Sequence, residues 1–175
     1  MSLEIERKFT VADGWQVPPG STGEQLRQAY LSPKGAAVEF RVRAKRDARV
    51  MTVKTFDAAS GAMVRQEVEF EIDDAVFAQL WELAGGDCLS KYRWNVPLEH
   101  HVATVDEYDG SLAGLRVVEV EFDSVEEARS FEPPDWFGEE VTGSPAWSNR
   151  ELAASARAVP GEAARVVPEE QGETR

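Results

Sequence analysis

Residues 64–72 read Val-Arg-Gln-Glu-Val-Glu-Phe-Glu-Ile, an alternation that suits a β-strand and defeats a helix. Strand side chains point to opposite sides with period 2. Arg65, Glu67, Glu69 and Glu71 therefore form one row, and Gln66, Val68, Phe70 and Ile72 the other. The same pattern recurs along the chain. In residues 3–9, Glu4, Glu6 and Lys8 share one face, while Leu3, Ile5 and Phe9 lie on the other with Arg7. Residues 38–44 place Arg41 and Arg43 together, opposite Phe40 and Val42. Thr52, Lys54 and Phe56 align within 50–56, and Lys91, Arg93 and Asn95 within 89–96. Residues 103–108 carry Asp106, and 115–123 set Glu119, Glu121 and Asp123 against Val118, Val120 and Phe122. Residues 25–31, with Leu26, Gln28 and Tyr30 on one side, complete eight strand candidates.

Loops and helices separate these strands. Pro18, Pro19 and three glycines mark a loop over 12–23, and Ser32-Pro33-Lys34-Gly35 a turn. Asp73 and Asp74 offer helix caps ahead of Val76, Phe77, Leu80, Trp81 and Ala84 at helical spacing, and Gly85-Gly86 ends that run. Ser124-Val-Glu-Glu resembles a capping box opening a short helix to about Phe131, before Pro133-Pro134. Residues 150–158 predict a last helix. Beyond Pro160 the chain is rich in Pro, Gly, Glu and Arg, which predicts one domain over 1–158 and a disordered tail over 159–175.

Composition narrows the function. The chain has 175 residues and a net charge of −13, which argues against nucleic-acid or anionic-membrane binding through the whole surface. A single cysteine, Cys88, excludes an internal disulfide framework and predicts a reducing, cytoplasmic setting. An acidic protein binds a polyanion only if its cations are concentrated in one place, so the placement of basic residues matters most.

The strand faces collect them. Lys8, Arg41, Arg43, Lys54, Arg65, Lys91 and Arg93 form the basic set; Glu4, Glu6, Glu67, Glu69, Asp106, Glu119 and Glu121 form the acidic one. Two architectures fit: an open antiparallel sheet with one solvated, salt-bridged face, or a barrel of about eight strands closed around charges that a ligand compensates. Arginine forks match phosphate oxygens, and carboxylate clusters suit hard cations. A cavity holding both suits a metal-bound polyphosphate. The chain has no Walker loop and no nucleophile elbow, so phosphate capture would rest on side chains.

The opening Glu4-Ile-Glu6-Arg-Lys8 resembles the Glu-x-Glu-x-Lys signature of the CYTH domains, the triphosphate tunnel metalloenzymes. The resemblance continues in order through Gln28-Ala-Tyr30-Leu, Arg41-Val-Arg43, Thr52-Val-Lys54, Arg65-Gln-Glu67-Val-Glu69, Lys91-Tyr-Arg93, Asp106, Gly114-Leu115 and Glu119-Val-Glu121. Glu140-Val-Thr-Gly143 with Ser148-Asn149 and Leu152 is similar to the C-terminal stretch of short bacterial members. The resemblance implies an α+β, mainly antiparallel fold: a closed eight-stranded tunnel with a charged interior, flanked by helices. It implies Mg²⁺ or Mn²⁺ held by Glu4, Glu6, Asp106, Glu119 and Glu121, with Lys8, Arg41, Arg43, Lys54, Arg65, Lys91 and Arg93 gripping a small-molecule triphosphate. Glu67 and Glu69 would orient those cations or reach the metal.

The activity so implied is metal-assisted hydrolysis of inorganic triphosphate to pyrophosphate and phosphate. Thiamine triphosphate or another organic triphosphate, ATP cyclisation, and polyphosphate binding without turnover are the alternatives. A lysine–tyrosine pair proposed to activate water in related enzymes maps to Lys54 and Tyr30, and cations crowded around a lysine favour its neutral form. Ala29 stands where many relatives have glycine, and Trp147 where a tyrosine is common; neither removes a charged ligand. Trp15 and Trp94 are candidates to stack an organic moiety and equally candidates for packing.

Overall fold

The computed structural model describes residues 5–33, 35–56 and 65–156. Its strands are β1 (Ile5–Val11), β2 (Thr22–Tyr30), β3 (Val38–Lys45), β4 (Ala48–Phe56), β5 (Arg65–Glu71), β6 (Cys88–Pro97), β7 (Val102–Tyr108), β8 (Arg116–Phe122) and β9 (Phe137–Glu140). Its α-helices are α1 (Asp74–Leu83), α2 (Val125–Ser130) and α3 (Asn149–Ala156). The strands form one sheet in the order β5-β4-β3-β2-β6-β7-β8-β1-β9, and every pairing is antiparallel.

This corrects the expected closed eight-stranded tunnel: the sheet has nine strands and does not close into a barrel. The reason lies at β1. Closure would need β5 to reach the free side of β1, but β9 pairs there. Val141 N donates to the carbonyl of Lys8 (2.8 Å), and Lys8 N donates to Thr142 Oγ1 (2.9 Å). Arg7 then clamps the Glu140 carboxylate through Nε (2.9 Å) and Nη2 (2.7 Å). With that side of β1 taken, β5 pairs only with β4 among the described residues. The sequence offered little notice of β9, because Phe-Gly-Glu-Glu does not alternate.

The apolar side of the sheet carries two cores. Phe9, Val96, Val105, Val118, Val120, Phe122 and Phe137 pack with Ala128 of α2. Ala29 and Val42 pack with Phe77 of α1. Both helices start as the sequence predicts: Asp73 Oδ1 accepts from Val76 N (2.7 Å), and Ser124 Oγ from Glu127 N (3.1 Å). Glu127 Oε2 reaches back to Asp123 N (2.9 Å), one residue before the Ser124 cap. The third helix lies elsewhere. Leu152 and Ala153 of α3 pack with Tyr30, Leu89, Tyr108 and Val117, at one end of the polar side. The predicted helix residues 157 and 158, and the predicted tail over 159–175, lie outside the described residues.

Among the described residues, no helix is long and apolar enough to cross a membrane.

Candidate active site

Residues directly opposed across a sheet point to the same side. Reading the registers outward from β5, Glu69 opposes Thr52, Thr52 opposes Arg41, and Arg41 opposes Tyr30. Glu67 opposes Lys54. Arg43 opposes Gln28, Leu26 opposes Lys91, and Lys91 opposes Tyr108. Arg93 opposes Asp106, Lys8 opposes Glu119, and Glu6 opposes Glu121. All the predicted site residues with described side chains therefore lie on one side of one sheet. Glu4 lies outside the described residues, and the Arg65 side chain is not described.

The centre of this side is a buried charge cluster. Lys91 and Asp106 are 0% and 1% exposed. Lys91 Nζ donates to Asp106 Oδ2 (2.5 Å), and Arg93 grips the same carboxylate through Nε (2.7 Å) and Nη2 (2.8 Å). Burial opposes the Asp106 charge, but Lys91 and Arg93 outweigh it and hold the carboxyl down at about 2. Lys91 also donates to Asn149 Oδ1 (3.1 Å), and Tyr108 Oη donates to the same oxygen (2.6 Å).

Toward β5 the pattern is looser. Thr52 Oγ1 accepts from Arg41 Nη2 (3.2 Å) and donates to Glu69 Oε1 (2.7 Å). Arg41 Nη2 lies 3.7 Å from both Glu67 Oε1 and Glu69 Oε1, and Lys54 is ion-paired with Glu67. Arg41 and Arg43 share one feature: the buried Nε of each has no hydrogen-bond partner. Burial first, then the Arg41 and Arg93 cations, bring the Arg43 guanidinium down to about 10. A buried guanidinium beside two others is electrostatically incomplete, and an anion would complete it. Gln28 Nε2 donates to Tyr30 Oη (2.8 Å). Burial pushes the Tyr30 phenol well up, so its hydroxyl keeps its proton at neutral pH.

At the β1–β8 end the carboxylates gather. Lys8 Nζ lies 2.7 Å from Glu119 Oε1, and Arg93 Nη2 3.7 Å from Glu119 Oε2. Burial raises the Glu119 carboxyl, but Lys8, Lys91 and Arg93 together more than reverse that, leaving it below the usual range. Glu6 and Glu121 are the exposed pair beyond it. Three carboxylates on two adjacent strands suit a hard divalent cation in donor chemistry. Among the described residues, however, no three His, Cys, Asp or Glu side chains are gathered closely enough to form a metal cluster.

Two sequence candidates fall away from this side. Trp15 is buried in the apolar core, and Trp94 alternates away from Arg93, stacking on Tyr92 (4.6 Å between centroids) and donating to Glu107. His101 meets Glu127 (3.0 Å), while the adjacent His100 is exposed. Two further residues join the charge cluster. Tyr108 is legible by alternation from Asp106. Asn149 belongs to the stretch that carries the C-terminal resemblance, which gives it no role in the site.

The protein is an antiparallel sheet with one apolar, helix-covered side and one side that clusters cations and carboxylates. No protein-family model matches the chain. An inorganic triphosphatase of Nitrosomonas europaea is 39% identical over 154 residues, covering 87% of this chain and 97% of the relative. One from Acetivibrio thermocellus is 34% identical, covering 87% and 94%. A crystal structure of an inorganic triphosphatase superposes with a TM-score of 0.69 at 37% identity, covering 92% of this chain and 99% of the other. The chain belongs to the inorganic triphosphatase family.

Proposed function

We propose that the protein hydrolyses inorganic triphosphate to pyrophosphate and phosphate. The observation that carries this reading is the pair Arg41 and Arg43, each with a buried, unpartnered Nε, with the Arg93 cation also acting on Arg43. Glu67 and Glu69 offset these charges only in part, and the free Nε atoms leave room for a further anion. A phosphate chain fits, with Lys8, Arg41, Lys54, Lys91 and Arg93 on the same side to contact its other oxygens. Trp15 and Trp94 lie away from that side, which favours an inorganic chain over one bearing a ring.

Mg²⁺ or Mn²⁺ would be held by Glu6, Glu119 and Glu121, with Glu4 completing the set, and would supply charge neutralisation at the phosphate oxygens. Asp106 has both oxygens committed to Lys91 and Arg93, so we assign it to orienting those cations. Glu67 does the same for Lys54 and Arg41, and Glu69 for Arg41 through Thr52. Lys54 is the candidate base for the attacking water once its proton passes to the paired Glu67 carboxylate, and Tyr30, which keeps its proton, orients that water or a phosphate oxygen by donating to it. The K54A and Y30F variants should each lose most turnover; near-wild-type rates in both would refute that pair.

The deciding experiment is parallel phosphate release from tripolyphosphate, thiamine triphosphate, ATP and pyrophosphate with Mg²⁺ or Mn²⁺, beside an E119A/E121A control. Metal-dependent release from tripolyphosphate alone, lost in the control, is the expected result. Release only from an organic triphosphate, or none at all, would overturn the reading. Protection against thermal unfolding by Mg²⁺ in wild type but not in the control tests the metal site without activity.

A further inference from the structure

Asn149, the first residue of α3, sends its side chain into the buried cluster, where one oxygen serves two donors. An ammonium only donates, so the atom facing Lys91 must be the carbonyl oxygen, and Tyr108 Oη then donates to it as well. The amide orientation is settled by chemistry.

Lys91 has three N–H groups and no acceptor. Asp106 takes one and Asn149 another. Among the described residues the third has no hydrogen-bond partner; the Tyr108 ring centroid lies 5.5 Å away, and Arg93 and Glu119 act on the ammonium through their charges. Lys91 stands next to Arg93 in the strand alternation, on the side that carries Arg43. Two fixed acceptors turn a flexible ammonium into a directed donor, and at 0% exposure its third N–H is a buried orphan.

The element bearing Asn149 is itself pinned. Ser148 Oγ accepts from Glu151 N (3.2 Å) at the start of α3. Arg150 reaches Asp87 Oδ2 (3.1 Å) and the Ser32 carbonyl (2.8 Å). Leu152 and Ala153 pack on Tyr30 and Tyr108. The amide is therefore held by both its backbone and its partners.

We propose that Asn149 is a positioning residue for the substrate: its carbonyl oxygen, with Asp106, orients the Lys91 ammonium so that the remaining N–H meets a phosphate oxygen. This rests on the triphosphate reading above.

The test is N149L, close in size and unable to accept, alone and combined with K91M. N149L should raise KM for tripolyphosphate about tenfold with kcat within about twofold, the pattern of lost binding rather than lost chemistry. In the K91M background, N149L should add less than about twofold, because its partner is gone. An unchanged KM in N149L, a fall in kcat alone, or a full penalty persisting in K91M would overturn the proposal. The thermal shift given by tripolyphosphate without metal is a second readout, needing neither turnover nor a folded K91M. A smaller shift in N149L than in wild type supports the proposal, and an equal shift overturns it. If wild type is protected by tripolyphosphate yet releases no phosphate, the hydrolytic reading fails while this comparison still decides the role of Asn149.

Discussion

Lys8 and Glu119 are paired twice over: they oppose each other across β1 and β8, and Nζ lies 2.7 Å from Oε1. The ammonium is a candidate for phosphate and the carboxylate for the cation, so both ligands compete with the same internal contact. Removing the carboxylate charge should therefore separate binding from chemistry. In E119Q, metal-free tripolyphosphate binding measured by calorimetry should hold or tighten, while turnover falls about a hundredfold. Weaker metal-free binding would mean that Glu119 orients Lys8 rather than restraining it.

Arg43 sets ligand binding against stability. Its buried Nε lacks a partner, so the folded protein bears a desolvation cost that Glu69 offsets in part and a bound anion would relieve further. R43M should lower kcat/KM for tripolyphosphate about a hundredfold, yet melt at the same temperature as wild type or higher. Calorimetric scanning beside steady-state kinetics checks both; a lower Tm would show that Arg43 supports the fold.

Asp106 makes acid stability a probe of the cluster. Its carboxyl sits at about 2 in the folded chain, against about 3.9 when unfolded. Between those values the unfolded state binds more protons, so this stabilisation is complete above about pH 4 and is lost as pH falls toward 2. Roughly two units correspond to about 2.5 kcal/mol. Urea unfolding of wild type should weaken over that range more steeply than that of D106N, which lacks the titrating group. Parallel slopes would show that Asp106 is not held down.

Arg7 tests the closure of β1 by β9. Besides its two bonds to Glu140, its Nη1 donates to the carbonyls of Ala128 (3.0 Å) and Phe131 (2.9 Å). R7A should cost about 2 kcal/mol of stability, through lost charge-assisted hydrogen bonds and packing. Because Arg7 alternates away from Lys8, KM for tripolyphosphate should stay within about twofold. A large change in KM would place β9 in control of the charged side.

Much of the site was legible because strand alternation is a local rule. Lys8, Arg41, Arg43, Lys54, Lys91 and Arg93 were assigned to their faces by spacing alone, and the registers put them on one side together. Asn149 was not legible. Its role depends on a helix folding back over a sheet about sixty residues away in sequence, and no local pattern encodes that approach. The roles of the carboxylates were equally hidden: Asp106 and Glu119 carry the same charge in the same alternation, yet one is gripped by two cations and the other by Lys8.

By itself the sequence determined which residues share a face, where the covering helices α1 and α2 begin, and that the cations would be concentrated in an acidic chain. Those follow from period-2 and helical geometry acting over a few residues. Only the tertiary structure decided how the sheet ends. Whether β1 offers its outer side to β5 or to residues 137–142 is a competition between segments far apart in the chain. It is settled by hydrogen bonds and by the Arg7–Glu140 clamp, which exist only once both segments are in place.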